Sequence, residues 1–118
     1  MNKETITIYF NPRCSKCRDV AALVTAHGYN SELIKYLDTP PSKVELSSLL
    51  HKLGMKPQEL IRKGEAIFKQ HFAGRTLSDD EWLDALVAYP VLMERPVVVR
   101  GNKAVVARPA EKALEILK

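Results

Sequence analysis

Thr5-Ile6-Thr7-Ile8-Tyr9-Phe10-Asn11-Pro12-Arg13-Cys14-Ser15-Lys16-Cys17 is the stretch that decides the architecture of this 118-residue chain. Its first six residues alternate with period two and are rich in β-branched and aromatic side chains, which predicts a strand. Asn11-Pro12 breaks that pattern. From about Ser15 to His27 the apolar residues Val20, Leu23 and Val24 follow helical spacing, and Gly28 supplies the stop. Cys14 therefore falls where a strand turns into a helix.

That placement has chemical consequences. The unpaired amides and the dipole of a helix N-terminus favour an anion, and a thiolate is one. A thiol there titrates below its free value of about 8.5; at about 6.5, roughly three quarters would be ionised at neutral pH instead of about 3%. Arg13 and Lys16 add positive charge in the same loop. Cys17, one helical turn on, is a candidate resolving thiol after oxidation of Cys14. Two other readings of Cys-x-x-Cys stand beside this one. Buried cysteines are often inert, and such a pair is also half of a zinc site. A structural zinc needs about four ligands. No second cysteine pair exists, and His27, His51 and His71 are scattered, so no metal is expected.

Working outward, Glu32 to Leu37 reads as a second strand, which completes a strand-helix-strand unit. Ser42 with Glu45 is a capping box that opens a helix closed by Gly54. Pro57 suits the first position of a short helix through Lys63, and Ser78 with Glu81 caps another helix ahead of Trp82, Leu83, Leu86 and Val87. Leu60, Ile67 and Phe68 are core candidates. Val97-Val98-Val99 and Ala104-Val105-Val106 flank Gly101-Asn102, a two-residue hairpin signal. Pro109 then starts a last helix carrying Ala113, Leu114 and Leu117. The expected fold class is α/β with a mixed sheet, the order of a thioredoxin/glutaredoxin-like fold with a helical insertion after the second strand. The length fits one domain over residues 1–118, with the insertion at about 40–90.

Bulk properties narrow the function. No apolar run reaches the roughly 20 residues of a membrane span, and the N-terminus lacks the continuous apolar segment of a signal peptide. A cytoplasmic protein with reduced cysteines is expected, with no membrane partner. The net charge of +4 arises from 18 basic and 14 acidic residues that interleave, with no basic run, so no nucleic-acid partner is expected. Arg62 is expected at the end of the Pro57 helix, and Arg95 and Arg108 each precede a proline at an element boundary. An arginine fork suits a tetrahedral oxyanion, although position alone does not separate these three from solvated surface residues. Arg95-Pro96 is also a candidate cis peptide.

With these residues in view, the chain resembles the glutaredoxin-coupled arsenate reductases of the ArsC type, a thioredoxin-fold family, over nearly its whole length. The matching segments are Ile6 to Tyr9 leading to Asn11-Pro12-Arg13-Cys14, Tyr36-Leu37 ahead of Thr39-Pro40-Pro41-Ser42, Leu60-Ile61-Arg62-Lys63, Arg95-Pro96-Val97-Val98-Val99 and Arg108-Pro109. The resemblance implies that Cys14 attacks arsenate while Arg62, Arg95 and Arg108 hold the oxyanion. It further implies that glutathione is the reductant, that glutaredoxin restores the thiol as arsenite leaves, and that no cofactor is bound. Two departures stand out. Phe10 occupies a position that is His in well-known members, and Cys17 one that is often Ser or Thr. The Cys14/Cys17 pair is similar to that of Spx-type regulators, which share the fold and bind RNA polymerase under disulfide stress. It also suits a thiol-disulfide oxidoreductase acting on another substrate. Three anion ligands favour arsenate reduction over disulfide exchange, which does not need them.

Overall fold

The computed structural model describes residues 4 to 117. Its helices and strands fall into two compact units: one runs to Thr39 and resumes at Arg95, and the other is Pro40–Glu94.

The first unit is built on β1 (Thr5–Phe10), α1 (Ser15–Ala26) and β2 (Asn30–Lys35). Its sheet has the order β2-β1-β3-β4, where β3 is Val97–Arg100 and β4 is Lys103–Val106. β2 runs parallel to β1, whereas β3 is antiparallel to both β1 and β4. This is the mixed sheet of the thioredoxin-like α/β class, with the helical segment inserted after the second strand. The period-two pattern of β1 sends Ile6, Ile8 and Phe10 to one face, where Val20 and Val24 of α1 pack on them and Val98 of β3 lies beside Ile8 in the sheet. Gly101, with φ at +58°, turns the chain between β3 and β4 as the Gly-Asn pair predicts.

The second unit carries α2 (Lys43–Leu53), α3 (Ala66–His71) and α4 (Asp79–Ala88). Both capping boxes form. The Glu45 amide donates to Ser42 Oγ at 3.2 Å and the Ser42 amide to Glu45 Oε1 at 3.0 Å; Ser78 and Glu81 repeat the two distances. Gly54 ends α2 in the left-handed region at φ +66°. Lys43 ties α2 to α4 through Asp80 and Asp84, each at 2.8 Å. Trp82 is buried, and its ring lies 6.2 Å from Phe68 and 5.9 Å from Phe72. Removing either cap oxygen, as Ser42→Ala or Ser78→Ala, should lower stability by about 1 kcal/mol in urea denaturation, since each leaves a helix amide without its acceptor.

Three local expectations are corrected. The second strand begins and ends two residues earlier than its apolar residues indicate, because pairing with β1 starts at Asn30 and fixes the register. The Pro57 helix is only a 3-10 turn, Pro57–Leu60. It stops because Ile61 takes extended backbone and bridges Met93, with the Arg62 amide donating to the Leu92 carbonyl at 2.7 Å. Arg62 therefore lies beyond that turn. After Pro109 the chain makes a 3-10 turn, Ala110–Ala113, before the single-turn α5 (Leu114–Leu117). Leu60 is fully buried, while Ile67 and Phe68 are only partly so. No helix among the described residues is long and apolar enough to cross a membrane.

Candidate functional site

The loop between β1 and α1 is fastened by its own backbone. Asn11 closes it twice: its carbonyl accepts from the Cys14 amide at 2.9 Å, and its side-chain oxygen accepts from the Arg13 amide at 3.0 Å. Arg18, one turn into α1, reaches back with its guanidinium to the Pro12 carbonyl at 2.8 Å. These bonds place Cys14 at the N-cap of α1 in extended backbone, φ −92° and ψ +116°. An N-cap side chain faces the first free amides of its helix, and here that side chain is a thiol.

Burial opposes ionisation of Cys14, and it is the largest single influence on the group. The Cys17 amide, the Cys17 thiol, the Arg95 guanidinium and the Lys16 amide lie around the sulfur and favour its charged form, and together they outweigh burial. The thiol is brought down from an ordinary 9.0 to about 7. Cys17 goes the other way. Burial pushes it up first; a hydrogen bond from the Asn11 backbone opposes this and the neighbouring Cys14 sulfur adds to it, leaving Cys17 at about 11. Exposure separates the two further, at 9% for Cys14 and 0% for Cys17. Cys14 is thus the less buried and more readily ionised thiol, and Cys17 its protonated neighbour. Both are free of disulfide bonds.

Arg95 is the cationic partner. It stands just before β3, ahead of a cis bond to the buried Pro96; the Arg108-Pro109 bond is cis as well. Burial works against its charge, but Tyr36 and the Cys14 sulfur favour it, and the net effect holds the guanidinium more firmly protonated. Arg108 donates from Nη1 to the Arg95 carbonyl at 3.1 Å, which joins the ends of β3 and β4 at this point. Arg108 is itself exposed. Arg62 belongs to the second unit, half-buried, with Nε 3.2 Å from Glu65 Oε1. The first unit therefore gathers Cys14, Cys17, Arg95 and Arg108.

Two details depart from the sequence reading. Lys16 acts on the thiol through its backbone amide, whereas the Arg13 and Lys16 side chains are exposed. Tyr36, not among the expected site residues, is fully buried and interacts with the Arg95 guanidinium. Its sequence signal is its place in the Tyr36-Leu37 segment of the family resemblance, which assigns it no role. Phe10 is buried in the core beside α1, so an aromatic ring with no titratable nitrogen precedes the loop. No group of three or more His, Cys, Asp or Glu side chains gathers among the described residues in a way that could hold a metal.

Comparison with known proteins follows the same outline. A model of the ArsC family matches residues 9–116. The uncharacterised protein YfgD of Escherichia coli K12 is 42% identical over 95% of this chain and 96% of its own. An arsenate reductase of Neisseria meningitidis serogroup A is 38% identical over 95% of this chain and 97% of its own. The solved structure of an arsenate reductase from Vibrio cholerae superposes with a TM-score of 0.93 at 40% identity, covering 98% of this chain and 99% of that one.

Proposed function

The chain belongs to the ArsC family, and from that premise we propose that it reduces arsenate to arsenite, with Cys14 as nucleophile and glutathione and glutaredoxin as the source of electrons. The observation that carries this reading is the Cys14 sulfur at the N-cap of α1, with the Arg95 guanidinium beside it favouring the thiolate. A thiolate meeting a doubly charged tetrahedral anion needs that repulsion offset, and a guanidinium on the sulfur supplies the positive charge at the reacting atom. The names borne by relatives at 34–38% identity agree with it.

In the proposed sequence the Cys14 thiolate attacks arsenic and an arsenate oxygen leaves as water after protonation. Glutathione joins the adduct, and a glutaredoxin thiol resolves it. Across the cycle two thiols become one disulfide, arsenic passes from the pentavalent to the trivalent state, and one oxygen ends as water. Arg95 and Arg108 are assigned to the arsenate oxygens, Arg95 by its place on the sulfur and Arg108 by its bond to the Arg95 backbone. Arg62 takes the same assignment from the motif match alone. The reaction belongs in a reducing cytoplasm, where glutathione is abundant.

The test is NADPH oxidation coupled through glutathione reductase, glutathione and glutaredoxin, with and without arsenate. Arsenate-dependent turnover is the expected result. Turnover with a low-molecular-weight disulfide and none with arsenate would overturn the reading.

A further inference from the structure

Thiolate chemistry at Cys14 gives no task to Tyr36, which follows β2 directly and is 0% exposed. Strand pairing shows where it stands. Phe10 lies opposite Lys35 in the parallel pair, and Tyr9 opposite Val97 in the antiparallel one. Continued past these last pairs, both registers arrive at Asn11: Tyr36 comes level with it on one side of β1 and Arg95 on the other. Two strand spacings, about 9.5 Å, then separate their backbones, a gap that a tyrosine and an arginine reaching inward close between them. Asn11 is the residue that fastens the loop carrying Cys14. All four residues belong to the first unit.

The phenol and the guanidinium interact, and they do so out of water. Tyr36 Oη and Arg95 Nε are both shut off from solvent. A buried hydroxyl demands a polar partner, whereas a phenylalanine would fill the same core space without that demand. Chemistry fixes the direction of a bond between the two groups. A guanidinium carries donors only, so the phenol oxygen must accept. Arginine also has a long side chain with many rotamers, and one that swings out to solvent places little charge at the sulfur. Held from its buried side, the guanidinium keeps its remaining nitrogens for the sulfur and for an anion in front of it.

We propose that Tyr36 is a positioning residue for Arg95: its buried phenol oxygen accepts from the guanidinium and holds it in the one orientation that serves both the Cys14 sulfur and an oxyanion. Tyr36 acts through Arg95 alone. Cys17 and Arg95 are the ionisable side chains that act on the sulfur, and Tyr36 and Cys14 those that act on the guanidinium. Loss of the hydroxyl therefore reaches the sulfur by a single route. The oxyanion half of the inference rests on the proposed arsenate reaction, and the sulfur half does not.

Tyr36→Phe tests it, since the ring still fills the core and only the hydroxyl is lost. Full-length wild type, Tyr36→Phe, Arg95→Ala and the double variant are alkylated with iodoacetamide from about pH 5 to 10, with Cys14 followed by mass. Arsenate turnover is measured in the coupled assay. The Tyr36→Phe midpoint should rise about half a unit above the wild-type value near 7. Labelling should then slow about threefold at pH 6 and stay within about twofold of wild type above pH 9. KM for arsenate should rise about fivefold, with kcat falling no more than about twofold. In the Arg95→Ala background the same substitution should move neither midpoint nor KM, because the group it acts through is gone. Comparison within each background cancels a loss of stability common to both.

An unchanged Tyr36→Phe profile would overturn the proposal, as would equal shifts with and without Arg95. Labelling altered by one factor at every pH would also overturn it, because that reports access to Cys14 and not charge. So would an unmoved KM where arsenate is turned over. Absence of arsenate turnover in the wild type defeats the substrate reading and leaves the labelling result intact, whereas an unchanged labelling profile defeats the role of Tyr36 whatever arsenate does.

Discussion

Cys14→Ser should lose arsenate-dependent NADPH oxidation by at least about a thousandfold, down to the rate of glutathione acting on arsenate unaided. A serine hydroxyl at the same N-cap keeps the helix capped but remains protonated at every working pH, so the fold survives and the nucleophile does not. The same site predicts a pH profile. With Cys14 at about 7, its alkylation by iodoacetamide should be half-maximal near pH 7 and fall tenfold for each unit below. Cys17, at about 11, should carry roughly 5,000-fold less thiolate at pH 7 before its burial is counted. Mass-resolved labelling separates the two sites; equal labelling of both would sink the assignment. Stability follows with a definite sign. The folded Cys14 is depressed from 9.0 to about 7, so its contribution is complete above about 9 and is lost as pH falls through 7. Cys17 has the opposite sign, its contribution being lost as pH rises from 9.0 through 11.

The parts of this site that were legible in the sequence are those set by neighbouring residues. Cys14 could be placed because a period-two strand, a proline and a 3.6-period helix are all local signals, and the same holds for the Ser42 and Ser78 caps and the Gly101 turn. What was not legible depends on partners distant along the chain. β2 is shifted by two residues because its ends are set by hydrogen bonds to β1; the residues facing solvent on this edge strand show little alternation. Arg62 left the Pro57 turn because Ile61 pairs with Met93, more than thirty positions away. α3 carries little sequence signal, because Glu65 at its N-cap makes no side-chain cap and none of its residues is fully buried. Tyr36 shows the same limit at the site itself. Only its burial beside Arg95, which the sheet brings from far along the chain, turns an ordinary aromatic into a neighbour of the reacting centre.

Arg95→Ala should produce the second large effect, and it divides into two measurable parts. Without the guanidinium the sulfur keeps the Cys17 and Lys16 amides but loses its cationic neighbour, while the rest of the site still opposes its charge by burial. The midpoint of the alkylation profile should therefore move above 7. A displacement of about one unit removes most of the thiolate at neutral pH, about five- to sixfold in rate. The proposed bond to arsenate is lost as well; a hydrogen bond to a charged group contributes about 1.5–3 kcal/mol, or roughly 10- to 150-fold. Together these predict a fall of about 10² to 10³ in kcat/KM, with the binding part visible as a raised KM and the thiolate part as the displaced pH profile. Arg95→Lys keeps the charge but not the planar fork, so it should recover more of the pH profile than of the KM. If Arg95→Ala leaves the midpoint at about 7, the helix terminus holds the thiolate without help, and Arg95 has no part in ionising the sulfur.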